Sequence, residues 1–244
     1  MLYMAWFFAD GIIENDVYLI TGEDARHIEK SLRMRKGEEL TLVSEGTQYL
    51  CTVKDFLQGS VEVEVKASKP CDREASVQVT LYQSLTKGDK MDFIVQKSVE
   101  LGVHRIVPVI TGRCVSRPDE KSLRKKIDRW QKIALGAAQQ SCRGIVPEVC
   151  DALSFEQALE SSQALDCSVI FYEGGGEKLR NFTDKGYRSF GMFIGCEGGF
   201  DLSEVESARS QGVTPATMGK RILRAETAPL AALSALMCLT GNFD

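Results

Sequence analysis

Phe193-Ile194-Gly195-Cys196-Glu197-Gly198-Gly199-Phe200 and Met218-Gly219-Lys220-Arg221-Ile222-Leu223-Arg224-Ala225-Glu226-Thr227-Ala228 are the two stretches that decide the reading of this chain. In the first, an apolar strand runs into three glycines within five residues, more than a turn requires. Glycine lacks the Cβ that would keep a backbone from pressing against a ligand or another segment. In the second, Lys220, Arg221, Arg224 and Glu226 surround one glycine ahead of an Ala/Leu-rich helix. Together they read as a nucleotide-type cofactor pocket with charged groups at its mouth. The dinucleotide fingerprint G-x-G-x-x-G and the phosphate loop G-x-x-x-x-G-K-[ST] are both absent, so the ligand is held in another way.

Upstream of these loops the pattern is strand–helix alternation. Strands are expected at 77–82, 105–110, 166–172 and 190–194, and helices at 90–101, 119–142, 201–211 and 225–239. Gly102 and Gly212 suit helix ends. Such alternation implies a parallel sheet covered on both faces, the α/β class. Ligands of open α/β sheets bind beyond the carboxyl ends of the strands. Three loops follow apolar strands there: Glu173-Gly174-Gly175-Gly176, Cys196-Glu197-Gly198-Gly199 and Gly219-Lys220-Arg221. Each alone reads more readily as a turn; three can converge on one ligand.

Residues 1–70 differ. Val17–Ile20, Glu39–Val43, Tyr49–Val53 and Ser60–Val65 show alternation or β-branched enrichment. Asp24–Met34 is a short helix candidate, and the apolar opening Met1–Ala9 reads as a buried first strand. It lacks the basic n-region of a signal peptide. Several short strands and one helix suggest a small β-barrel. Lys69–Glu74 reads as a linker, which gives two domains, 1–70 and 75–244.

Hydrophobic content of 43% and charged content of 26% place the chain among globular proteins. No apolar run approaches the roughly 18 residues of a membrane span. The eight cysteines form no C-x-x-C pair and there are two histidines, His27 and His104, so no metal site is expected. Scattered cysteines suggest reduced thiols and a cytoplasmic location. The net charge of −4 is uneven: −4 over residues 1–70, +5 over 71–150 and −5 over 151–244. Lys121–Lys132 carries six basic residues against one acid, which is either a solvated helix face or a nucleic-acid contact.

Several residues admit a bland and a functional reading. Asp201 and Glu204 read as a helix N-terminal cap, while Glu197 among glycines orients backbone amides or faces a cation. Glu226 suits a helix N-terminus and Arg224 does not, so Arg224 is expected to face a ligand or anion. His27, beside Arg26 and ahead of Arg33 and Arg35, could touch phosphate. Gln139, Gln140, Ser141 and Arg143 close the basic helix with groups that contact bases and phosphates.

These residues carry a resemblance that runs almost end to end. The chain resembles the bacterial 16S rRNA (uracil N3)-methyltransferases of the knotted SPOUT superfamily. Its marks are Leu32-Arg33-Met34 with Gly37-Glu38, Lys97 with Glu100-Leu101-Gly102-Val103 and Pro108, and Arg129-Trp130 with Ile133. Ala137-Ala138-Gln139-Gln140-Ser141 with Arg143 and Pro147, Ile194-Gly195 with Glu197-Gly198-Gly199-Phe200, and Gly219 with Arg221-Ile222-Leu223-Arg224 and Glu226-Thr227-Ala228 complete them.

The resemblance implies a PUA-like β-barrel that grips RNA, followed by a SPOUT α/β domain with a deep C-terminal trefoil knot. It implies S-adenosylmethionine held by Tyr172, Glu173, Gly174, Ile194, Gly195, Cys196, Glu197, Gly198, Gly199, Met218, Gly219, Ile222, Leu223, Arg224, Thr227 and Ala228. It further implies a homodimer acting on 16S rRNA of the small ribosomal subunit. Arg224 and Glu226 are the expected catalytic pair, and Arg33, Arg35, Arg124, Lys125, Arg129, Gln140 and Arg143 the expected RNA contacts. Cys196 and Ala225 stand where the family has Pro and Thr, and Cys196 restores a backbone N–H. The alternatives are a sister SPOUT enzyme acting on tRNA or a ribose hydroxyl, a non-enzymatic RNA-binding ribosome-assembly protein, and a nucleotide-binding metabolic enzyme.

Overall fold

The computed structural model describes residues 5–11, 13, 16–183 and 185–243, so Met1–Met4 of the expected first strand lie outside the described residues. The chain divides into two compact units. One comprises 1–74 with 138–146, the other 75–137 with 147–244. The division therefore does not fall at a single linker.

In the first unit the strands are β1 (Ala5–Phe8), β2 (Val17–Thr21), β3 (Glu39–Ser44), β4 (Thr47–Leu57) and β5 (Ser60–Pro70). They form one sheet in the order β1-β3-β4-β5-β2, with β1 parallel to β3 and the other pairs antiparallel. Inward residues of every strand meet in one core that includes Phe7, Ile20, Leu40, Leu42, Cys51, Val53, Val61 and Val63. That inward half of each alternation is why the strands were legible in the sequence. Among the described residues no ladder joins β1 to β2, so the sheet curls round its core without closing. The expected helix is split into α1 (Gly22–Arg26) and a π-helical turn over His27–Leu32. Arg33 stops it at φ 52°, the left-handed conformation.

Residues 138–146 join this unit through polar groups. The Trp6 indole donates to the Arg143 carbonyl at 3.0 Å. The Arg143 guanidinium pairs with both oxygens of Glu74, and Glu74 also accepts the Gly144 N–H at 2.8 Å.

The second unit contains β6 (Gln78–Ser84), α2 (Lys90–Glu100), β7 (Arg105–Ile110), α3 (Glu120–Gln140), β8 (Glu148–Val149), β9 (Leu153–Ser154), α4 (Phe155–Ser162), β10 (Cys167–Phe171), β11 (Glu177–Lys178), α5 (Arg180–Thr183), β12 (Ser189–Ile194), α6 (Leu202–Ser210), β13 (Thr214–Thr217) and α7 (Ala228–Leu239). The last turn of α3 falls in the first unit. The sheet runs β11-β13-β10-β12-β6-β7-β8, with β9 also on β7, and every pair is parallel. Its central strands are buried almost throughout, as a sheet covered on both faces requires. Tyr82 and Phe193 stack at 4.3 Å between ring centroids within a core that also takes Phe155, Ile170 and Phe200.

One consequence positions the site. β10 lies between β12 and β13, all three parallel, with Ile170 level with Phe193 and Phe171 level with Ala216. Their carboxyl ends are therefore neighbours, although the loops that leave them lie far apart in sequence.

Candidate active site

The loops after β10, β12 and β13 enclose a cleft of about 840 Å³. Its walls depend on missing side chains. A Cβ at Gly195 would sit 2.9 Å from the Gly199 Cα, and one at Gly174 would overlap the Tyr172 ring. Gly199 and Gly219 have φ of +68° and +101°, a region that side chains disfavour. The Gly199 N–H donates to the Cys196 carbonyl at 3.0 Å, which folds the loop back on itself.

Every residue expected to hold a cofactor lines this cleft except Thr227, which is exposed at the position preceding α7. Arg224 lines it too, with an exposed side chain; its carbonyl accepts the Thr227 and Ala228 N–H groups, both at 2.9 Å. Glu226 is not in the lining and is reached through Lys90. Cys196 and Ala225 are buried at the wall.

Two cations that the sequence reading passed over hold the loops. Lys90, at the start of α2, lies 3.0 Å from Glu197 and 3.2 Å from Glu226. The Lys87 N–H donates to Glu197 at 3.2 Å. Burial pushes the Glu197 carboxyl up, but its own backbone N–H, the Lys90 ammonium and the Lys87 N–H together hold it below the ordinary range. Glu226 is held down by its own backbone N–H, then by Lys90 and Arg224. Glu197, followed by Glu226, raises Lys90. On the other side, Arg113 donates to the Gly198 carbonyl at 2.8 Å and to Asp201 at 2.6 Å. Asp201 and Glu204 form the expected cap, with Glu204 accepting the Asp201 N–H at 2.8 Å. The available signal for both cations was position: each follows the carboxyl end of a central strand, β6 or β7.

Beneath the loop lie two buried thiols, Cys114 and Cys196. The Cys196 thiol, then the Thr111 hydroxyl and N–H, pull the Cys114 thiol down against its burial, while Cys114 and burial push the Cys196 thiol up.

The expected RNA contacts divide. Arg33 and Arg35 are exposed in the first unit, as is Gln140. Arg124 and Lys125 are exposed on α3; Arg129 is exposed but paired with Asp92, and stands 3.8 Å from Asp89. Arg143 is a correction. It is only 4% exposed and paired with Glu74, so its guanidinium serves the first unit's interior and does not present itself to a nucleotide. His27 is exposed, with its ring edge-on to Phe7. Among the described residues no helix is long and apolar enough to cross a membrane, and no acidic, histidine and cysteine cluster could hold a metal ion.

Residues 73–237 match the model of a family described as RNA methyltransferase domain, and residues 20–65 match one described as RNA methyltransferase PUA domain. Ribosomal RNA small subunit methyltransferase E of Bacillus subtilis is 37% identical, over 92% of this chain and 91% of its own. The protein of that name in Aquifex aeolicus is 33% identical over 84% and 87%. The crystal structure of Ribosomal RNA small subunit methyltransferase E from Neisseria gonorrhoeae bound to S-adenosyl methionine superposes with a TM-score of 0.88 at 33% identity, covering 97% of this chain and 98% of that one.

Proposed function

The chain belongs to the family of the ribosomal RNA small subunit methyltransferases E, α/β proteins with a PUA-like domain, and on that premise we propose that it methylates N3 of one uridine in 16S rRNA. S-adenosylmethionine is the cofactor, as in the superposed relative. The observation that carries the reading is the cleft itself. Three loops of adjacent parallel strands converge on it, and Gly195 brings the Gly199 backbone to its wall at a distance no Cβ would permit. An adenosyl group fits such a wall. Phe171, Ile194, Ile222 and Leu223 supply apolar surface, and Glu173 and Glu197 supply negative charge that suits a sulfonium.

The bound cofactor supplies an activated methyl group, open to in-line displacement. The chain's own residues must do the rest. Uridine N3 is a poor nucleophile until its proton leaves, so the site has to favour the anionic base and align N3 for attack. Arg224, cationic and exposed on the cleft wall, stabilises the charge that develops on the uracil oxygens. Glu226, two residues on from Arg224, stays ionised beside Lys90. The target base leaves its stack to enter the cleft. Arg33, Arg35, Arg124, Lys125 and Gln140 contact the RNA.

Three further expectations belong to the same reading. The C-terminal segment threads a trefoil knot. Support comes from family membership and from the course of the chain, which passes from β12 across β10 to β13 before α7 returns to place Met237 near Gly102. The protein works as a homodimer in the cytoplasm, where its ribosomal substrate is assembled. Exposed Leu239 and Phe243 supply apolar surface for the partner copy.

Arg224→Ala is the direct test of the assigned role. Turnover should fall about 10²–10³-fold, the usual loss on removing one charge-stabilising donor. S-adenosylmethionine binding, measured by calorimetry, should stay close to that of the unaltered protein. Normal turnover in this variant would refute the role.

A further inference from the structure

The cleft's two most informative loops are joined by one side chain. Lys90 starts α2, 107 residues before Glu197 and 136 before Glu226, and its ammonium lies 3.0 Å from the first and 3.2 Å from the second. Glu197 belongs to the glycine loop after β12, and Glu226 to the segment that leads from the loop after β13 into α7. Nothing else among the described residues forms an ion pair with Glu226.

The two loops need such a tie. The loop at 218–224 is exposed over most of its length, and Ile222 is 79% exposed, so little apolar burial holds it in place. The glycine loop is already fixed on its other flank, where Arg113 donates to the Gly198 carbonyl and to Asp201. Glu197 is fixed a second time by the Lys87 N–H. Lys90 therefore connects a braced loop to an unbraced one across the cleft they share.

We propose that Lys90 is a positioning residue that latches the 218–227 segment to the glycine loop and so sets the closed shape of the cofactor cleft. It acts through Glu197 and Glu226 and lines the cleft beside them. Glu226 is thereby occupied as an anchor for the latch and is not the acceptor of the uridine N3 proton. The proposal rests on the methyltransferase reading, because it assigns the latch to binding of that cofactor.

Lys90→Met and Lys90→Arg separate the alternatives. In Lys90→Met the dissociation constant and KM for S-adenosylmethionine should rise about tenfold, as expected on removing two partly buried ion pairs. Lys90→Arg keeps the charge and should recover most of the affinity. A second readout needs no ligand: trypsin should cut after Lys220 and Arg221 faster in Lys90→Met, while the far-ultraviolet dichroism stays unchanged. Affinity and cleavage like those of the unaltered protein would overturn the latch. So would a fall in kcat at unchanged KM, or a Lys90→Arg variant as weak as Lys90→Met. An unaltered protein that fails to bind S-adenosylmethionine would instead remove the functional reading and the latch with it.

Discussion

At the scale of single residues, the cleft depends on atoms that are absent. Gly195 faces the Gly199 backbone so closely that an added methyl group would lie 2.9 Å from Cα and 3.0 Å from the carbonyl carbon. Backbone cannot swing aside as a side chain can. Gly195→Ala should therefore cost about 1–3 kcal/mol of loop strain and weaken S-adenosylmethionine binding about 10-fold or more, which calorimetry would measure. The charged residues give a pH prediction with a definite sign. Glu197 and Glu226 are both held below the ordinary value of 4.5. A depressed carboxyl favours the folded, latched form above that value, and the contribution is lost as pH falls through the depressed one. Cofactor affinity should thus stay level from pH 8 to 5 and drop below about 4.5, with Glu226→Gln removing part of the drop. Sequence reading reached the glycines, because three in five residues after an apolar strand is a local signal. Lys90 escaped it, because no local pattern marks a partner more than a hundred positions away.

At the scale of elements, the regular strands and helices were legible where their own residues decide the conformation. Helices 90–100 and 202–210 each end just before a glycine with positive φ, at Gly102 and Gly212. β13 was not legible. Thr214-Pro215-Ala216-Thr217 has no alternation, and it is a strand because β10 offers it a parallel edge. α4 could have been found from Ser154 and Gln157, which cap it reciprocally at 3.2 and 2.9 Å. The end of α3 shows the limit most clearly. Arg143 read as a nucleotide contact, since residue type is visible in a sequence and burial is not. In the fold Glu74 takes both its guanidinium and the Gly144 and Ile145 N–H groups. Glu74→Ala would strand that buried cation, and a cost of about 3–5 kcal/mol is expected. The shift should show in the denaturation midpoint followed by the fluorescence of Trp6, whose indole bonds to the Arg143 carbonyl.

At the scale of the whole molecule, strand–helix alternation set the class and the order of strands set the site. Alternating strands and helices imply a parallel sheet, but only the order β13-β10-β12 brings the three glycine-bearing loops to one place. Strand order is a property of the traced chain, which periodicity cannot supply. The acidic net charge of −4 coexists with a basic middle segment, and RNA binding through Arg124, Lys125 and their neighbours should weaken steeply with salt. A salt-independent affinity would argue against that surface. Light scattering during gel filtration should give twice the chain mass of 27.0 kDa if the homodimer forms.

The central claim is tested most directly by incubating the purified protein with labelled S-adenosylmethionine and small ribosomal subunits that lack the modification, then digesting the RNA to nucleosides. Label recovered as N3-methyluridine from a single site in 16S rRNA is the expected result. Label in another nucleoside, or no transfer by protein that binds the cofactor, would contradict the assignment of this base.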